Sequence, residues 1–374
     1  MIRNTELSSM RYSLCGLLVV LALLLATTGC SSKPRLHTSN FVVTSLDAQR
    51  MGYTPRWATN LLIDPSQKMA HITPLGDVIA ITEHPSNAIT VIDANTGSIR
   101  WRKKWVTDAQ TLFEPSRLGN HIIVNSDRDV FHLDVQTGRL VSVSRMQDQV
   151  NDGPMLTGTL AIFGSNRGRV FAHDLTTGHS RWAAEMAGGV DVRPIVAGNG
   201  VFIADILGTF ALFEADSGTR VWTGRTFGKI TARPAYSNAT QLIYLASEDQ
   251  NLYAINRSTG KDRWIYRTGE PFVVDPVLLG NTLFVTQSNG LTAIDAITGS
   301  KLWNIPHRYQ VVDLIDHRLI VSSGVYLMMI DVTNGKTLRE VPFIERVQSV
   351  VPAIDDSLIV VTPQGRMVRL DPHR

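Results

Sequence analysis

DLTTGHSRW, residues 174–182, carries a pattern that recurs through most of this chain. An acidic or amide residue is followed by Gly four positions on and by Trp eight positions on, as at Asp174, Gly178 and Trp182. The same spacing returns as Asp93/Gly97/Trp101, Asp134/Gly138/Ser142, Glu214/Gly218/Trp222, Asn256/Gly260/Trp264, Asp295/Gly299/Trp303 and Asp331/Gly335/Arg339. An eighth copy opens at Asp371. Successive copies lie 36 to 42 residues apart, a period that points to a propeller or another repeat array.

Each unit reads as four short strands. Runs such as Val201-Phe202-Ile203 and Leu283-Phe284-Val285 are apolar at consecutive positions, as suits strands covered on both faces. The next strand, Val170 to His173 in the quoted unit, ends at the acidic residue, whose side chain can accept hydrogen bonds from nearby backbone N–H groups. Gly then closes the turn with a left-handed backbone that a Cβ would disfavour. The Trp falls in the last strand, where burying its ring would cover roughly 150–250 Å² and tie neighbouring sheets together.

A second marker keeps the same phase. Pro115, Pro154, Pro194, Pro234, Pro276 and Pro352 mark the strand that begins most units, a place where no ladder donor is needed. At the other end of the repeat array, Trp57 sits in a strand with no unit ahead of it. Pairing that strand with the copy opened at Asp371 completes one blade and closes the ring. The expected fold is all-β: an eight-bladed β-propeller of four-stranded antiparallel blades, closed by pairing of the N- and C-terminal strands. It spans residues 56–374 and contains almost no helix.

Residues 1–29 read as a lipoprotein signal peptide. Arg3 and Arg11 flank an apolar core, Leu17 to Ala26, too short for a membrane span. The segment ends at Gly29-Cys30, which resembles the site where bacterial lipoprotein signals are cut and the new N-terminal Cys is acylated. Cys30 is therefore the expected lipidation site, and residues 30–55 the expected flexible tether. The only other cysteine is Cys15, inside the signal, so the mature domain has no disulfide and no thiol nucleophile. A formal net charge of +3 over 374 residues gives no reason to expect nucleic acid as a partner.

No residue pattern marks a catalytic centre. The repeated carboxylates stand beside turn glycines, and Asn256 fills the position as well, so they read as turn caps. His132 and His173 both lie close ahead of a repeat Asp in successive blades. That suggests equivalent strand positions, with packing or surface roles more natural than a metal pair. Arg100 to Trp105 reads as a charged outer edge strand. The candidate binding surface is a mixed-charge rim around the central channel. Glu114, Arg193, Arg233 and Asp275 precede the marker prolines, and Arg167, Asp205, Glu248 and Asp249 lie in loops of the same face.

The repeat resembles the PQQ-type repeat of eight-bladed quinoprotein propellers, whose units read roughly AxDxxTGxxxW. Ala293 to Trp303, AIDAITGSKLW, matches it fully, and Val91 to Trp101 matches except at its first residue. Two branches share that fold. PQQ-dependent dehydrogenases are larger and hold the cofactor against a vicinal Cys pair with calcium beside it, which this domain lacks. The order of signal, tether and one minimal ring is instead similar to the BamB family of the outer-membrane barrel assembly machinery. That resemblance implies a non-enzymatic, monomeric scaffold without a cofactor. It would be lipid-anchored on the periplasmic face of the outer membrane, in keeping with Ser31 after Cys30, and would bind periplasmic or outer-membrane proteins. Where that family engages its partner through a longer mid-propeller loop, the connector Thr226 to Arg233 is short here. A PQQ-binding oxidoreductase or sensor, and a periplasmic ligand-binding module, are the alternatives.

Overall fold

The computed structural model describes residues 41–107 and 109–373. The signal segment and Cys30 lie outside them. Eight four-stranded sheets follow one another, and in seven the strand order is simply the chain order, each strand antiparallel to the next. Blades 1 to 7 cover residues 68–104, 116–145, 155–185, 195–225, 235–267, 277–305 and 310–342. Blade 8 takes three strands from residues 349–372, and its outermost strand is Tyr53–Asn60 from the N-terminal side. Tyr53 pairs with Pro372 and Asn60 with Arg366, with a register shift between Pro55 and Trp57. The expected eight-bladed ring and its closure through Trp57 are both present.

The first strands of blades 3 to 8, and of blade 1 after blade 8, touch their neighbours, which sets them innermost around a central channel. Second and third strands are almost wholly buried between adjacent sheets: Gly200–Ala204 is covered along its whole length, as is Leu242–Ala246. This is the physical reason their residues are apolar without alternation. The outermost strands are far more exposed. Ile99–Lys104 exposes Arg102 and Lys104 while Trp101 points inward. Arg102 reaches the buried Glu83 at 2.6 Å, and Arg100 binds Asp93 at 2.7 Å. This basic run is an edge strand, as its sequence suggests.

The repeat residues do the structural work expected of them. Asp93 Oδ1 accepts from the backbone N–H groups of Asn95 and Thr96, both at 3.0 Å, and Asp295 does the same for Ile297 and Thr298. Each clamp indole leans on the motif glycine of the following blade. A Cβ on Gly97 would lie 2.6 Å from the Trp57 ring, and one on Gly218 2.5 Å from the Trp182 ring. Gly260 stands in the same way 2.6 Å from the Trp222 ring, and Gly299 2.5 Å from the Trp264 ring. Both have positive φ, 69° and 75°, so these two glycines are fixed by the turn and by the indole alike. Each indole also donates its N–H across the interface. Trp57 bonds to the Ala94 carbonyl at 2.9 Å, Trp101 to Val135 at 3.1 Å and Trp182 to Ala215 at 2.8 Å. Trp222 reaches Arg257 at 2.8 Å, Trp264 reaches Ala296 at 3.2 Å and Trp303 reaches Val332 at 2.7 Å.

The described portion of the expected tether is not a tether. Val42 and Val43 are fully buried, Thr44 caps a six-residue helix, Ser45–Arg50, and Ala48, Met51 and Tyr53 join the same core. These residues pack against Val341, Phe343 and Val347 at the interface of blades 7 and 8. The reason is local. Arg339 stands at the clamp position of blade 7, so no indole fills that interface, and apolar groups from the N-terminal side fill it instead. The folded domain therefore includes residues 41–55, ahead of the expected start at 56.

Candidate functional site

The residues ahead of the marker prolines converge at the channel mouth. Glu114 accepts from Arg193 at 2.8 Å and from Arg233 at 3.3 Å, although 79 and 119 positions separate them in sequence. Arg193 also donates to Ser116 Oγ at 2.8 Å and to the Pro154 carbonyl. Asp152, which the sequence did not single out, accepts from the Arg193 backbone N–H at 3.1 Å and lies 3.8 Å from the Arg233 guanidinium. Asp275 completes the lattice by accepting from the Arg233 N–H at 2.8 Å. Charged side chains from the entries to blades 2 through 6 are thus tied to one another across the channel mouth.

Partial burial tunes these groups. Asp275 is pushed above the usual carboxylate range by its loss of water, against the pull of Arg233. His71, on the inner strand of blade 1, is held below the ordinary histidine range by burial, although Glu114 and Asp152 act on it in the other direction. Arg193 is only 13% exposed, so it is an enclosed tie rather than the free rim residue the sequence suggested.

The other expected rim residues separate into two kinds. Asp205 is fully buried, and its carboxylate accepts from the N–H groups of Leu207, Thr209 and Gly188 at 2.8–2.9 Å. Asp249 has the same role in the next blade, accepting from Asn251 N–H, Tyr253 Oη and Phe227 N–H. Both are corrected from surface groups to pins that hold the inter-blade connectors in place. Arg167 and Glu248 are exposed. Arg167 lines a 250 Å³ hollow with Arg128 and Arg145, and Glu248 lines a 390 Å³ cavity with Thr231, Phe272 and Asp275. That cavity shares Val273, Val274 and Asp275 with a neighbouring one of 610 Å³.

Apolar side chains stand exposed on one pinned connector, on the turn that holds Asp205 and on the connector that follows blade 5. Phe227 is 98% exposed, and Leu207, Val273 and Val274 are each about half exposed. Phe227 is not loose: its N–H is bound to Asp249 at 3.1 Å, and Thr226 Oγ1 donates to the Gly228 carbonyl at 2.8 Å. No sequence signal marked these residues, because they come from two connectors and a hairpin turn and are ordinary apolar types.

His132 and His173 do not occupy equivalent positions. His132 stands two residues ahead of its repeat Asp and His173 one residue ahead, so the period of two turns them to opposite sides of their strands. Being on successive blades, they face the same interface. Burial lowers both below the ordinary histidine range, with a further push on His132 from His121 and on His173 from His132. Among the described residues no group of three His, Cys, Asp or Glu could hold a metal ion.

These shifts give the fold a pH signature. For His71, His132 and His173 the folded value is lowered, so their contribution is present above the unfolded value near 6.5 and lost as pH falls through the folded values. The capping Asp93, Asp134, Asp174, Asp295 and Asp331 are held low by hydrogen bonds, and their contribution is lost below about 4. Asp275 works in the opposite direction, since its raised value favours the fold at lower pH. The melting temperature is expected to fall between pH 7 and pH 5 and again below pH 4. A melting temperature that holds level or rises from pH 7 to pH 5 would contradict this.

Fold and repeat together define an eight-bladed β-propeller of PQQ-type units. The family model described as "Outer membrane protein assembly factor BamB" matches residues 40–266 and 208–342. The chain belongs to that family. It is 24% identical over 246 residues to outer membrane protein assembly factor BamB of Burkholderia pseudomallei (strain K96243), a match covering 60% of this chain and 64% of that protein. The chain thus spans just under two thirds of that relative's length. Among solved structures, BamB from Moraxella catarrhalis superposes with a TM-score of 0.67 at 17% identity, covering 85% of this chain and 99% of that one. A europium-containing methanol dehydrogenase superposes with a TM-score of 0.66 at 11% identity, covering 84% of this chain and 85% of that one. At such identities these two likenesses concern the fold alone. Among the described residues no helix is long and apolar enough to cross a membrane.

Proposed function

We propose that this protein is a non-catalytic scaffold for outer-membrane protein assembly, anchored through acylated Cys30 and held on the periplasmic face of the outer membrane. The observation that carries this reading is a set of water-exposed apolar side chains: Phe227 and Leu207, whose backbone N–H groups are pinned, and Val273 and Val274, which line one cavity with the charged Glu248. Exposed apolar side chains with charged neighbours on a held backbone suit a protein-docking surface. The backbone pins from Asp205 and Asp249 reduce the ordering cost of binding. Membership of the BamB family supports a partner drawn from the barrel assembly machinery. In this reading the ring binds no cofactor. The channel mouth is spanned by the Arg193–Glu114–Arg233 lattice, a tie between blades rather than a chamber.

Affinity capture of the tagged mature domain from envelope extract is the test. A barrel-assembly subunit is expected to co-purify, and Phe227→Asp combined with Val274→Asp is expected to reduce its recovery at least tenfold without lowering the melting temperature. Recovery of no assembly subunit in gentle detergent, or equal recovery with the double variant, counts against the reading. Adding PQQ and calcium should leave the melting temperature unchanged; a saturable rise would move the protein to the quinone-binding branch.

A further inference from the structure

Six of the eight blade interfaces hold a tryptophan clamp, and the N-terminal residues fill a seventh. The interface of blades 2 and 3 differs from all of these. Ser142 stands where the clamp indole belongs, and its cross-strand partner is His132, whereas five of the six clamps pair with Val91, Ala172, Leu212, Ala254 and Ala293 and the sixth, Trp57, pairs with Arg369. On the facing sheet the residue just ahead of the repeat Asp is His173, where every other unit has Ile, Leu or Phe. His173 is 1% exposed and shares a 2.7 Å hydrogen bond with Ser144 Oγ. The clamp position and the position just ahead of the facing repeat Asp are apolar at every clamped interface and polar here, and with His132 they adjoin one interface.

What remains is an open slot of 510 Å³ lined by His132, Ser142, Ser144, Leu175, Gly178 and His179, among others. Two features of the clamped interfaces persist in it without their occupant. Gly178 keeps the left-handed backbone of the motif glycines, yet only Ser144 Cβ comes near where its own Cβ would be, at 3.3 Å, instead of a ring. The Leu175 carbonyl corresponds to the Ala94, Val135 and Ala215 carbonyls that accept an indole N–H, and among the described residues no donor reaches it. The ring's own geometry therefore specifies the complement of the slot: a flat apolar face toward Gly178 and an N–H donor toward Leu175.

We propose that the slot between blades 2 and 3 is a binding site for a planar aromatic ring bearing an N–H donor, with indole as its measure, either free or as the side chain of a partner's tryptophan. The ring would lie where the clamp lies elsewhere, with His132 and Ser142 at its edge and its N–H on the Leu175 carbonyl. The site is independent of the proposed docking patch, being built from the side of the ring rather than from the channel mouth.

Titration of indole into the mature protein tests this. Saturable binding with a half-point on the order of 0.1–1 mM is expected for a ring of this size. A rise in melting temperature of about 2 °C is expected at tenfold that concentration. Ring resonances of His132 and His173 should shift, while that of His71 in the channel stays put. Ser142→Trp should supply the ring from within, raising the melting temperature and weakening indole binding more than tenfold. 1-Methylindole, which lacks the donor, should bind at least tenfold more weakly than indole. Tighter binding of N-acetyltryptophanamide than of indole assigns a partner's side chain, and the reverse assigns a small heteroaromatic. Absence of saturable binding, equal binding of 1-methylindole, or perturbation of His71 rather than His132 and His173 overturns the proposal. The last two readouts stand even if Ser142→Trp does not fold.

Discussion

Trp303→Ala is expected to lower the unfolding free energy by about 3–5 kcal/mol, the range for deleting a buried aromatic from a packed core. The ring is 7% exposed, packs 6.0 Å from Phe284, and lies on Gly335 so closely that a Cβ there would come within 2.9 Å. Its N–H donates to the Val332 carbonyl at 2.7 Å, so truncation also leaves a backbone acceptor without its donor. No other side chain can flow into the space, because the strands on both sides are held by their own sheets. Trp182, at 8% exposure and with the same contacts to the next blade, should behave alike. Trp222 and Trp264 press on Gly260 and Gly299 in the same way but are only partly buried, and should cost less. Chemical denaturation of the four alanine variants checks both the size and the order. Losses below about 1 kcal/mol for Trp303 and Trp182 would mean that the indoles are not what joins the blades.

That ranking also says where the sequence was informative. Asp, Gly and Trp at fixed spacing are legible because each is chosen by a local rule: a carboxylate that caps a turn, a residue free to adopt positive φ, and one large ring per interface. Ring closure was legible for the same reason, since the clamp at Trp57 and the copy opened at Asp371 complete one unit. The short helix Ser45–Arg50 was not, because six residues carry too little periodicity and its role depends on what Arg339 fails to fill. Nor was the depth of Asp205, a loop carboxylate that reads as surface until three backbone N–H groups are found around it. His132 and His173 were misaligned by a single residue, and in a strand one residue is the difference between two faces.

The channel lattice is the clearest instance of information that a linear reading does not carry, and it reverses an expectation. As a rim residue Arg193 would tolerate alanine with almost no loss. In the structure it is the hub: four donor contacts hold Glu114, Ser116, the Pro154 carbonyl and, through its own backbone, Asp152. Arg193→Ala removes the side-chain contacts and leaves Glu114, itself only 26% exposed, with Arg233 alone at 3.3 Å. Hydrogen bonds to charged groups are worth about 1.5–3 kcal/mol each where burial limits screening, and the partners here retain some water. A loss of about 2–3 kcal/mol is therefore expected. Arg193→Lys should recover little of it, since one ammonium cannot serve partners fixed in a guanidinium's plane. Glu114→Gln in the Arg193→Ala background should be close to neutral, because the charge it removes has already lost its main partner. Thermal or urea unfolding of the two single variants and the double variant decides the matter. Additive losses, or an Arg193→Ala variant as stable as the parent, would reduce the lattice to an incidental meeting of surface charges.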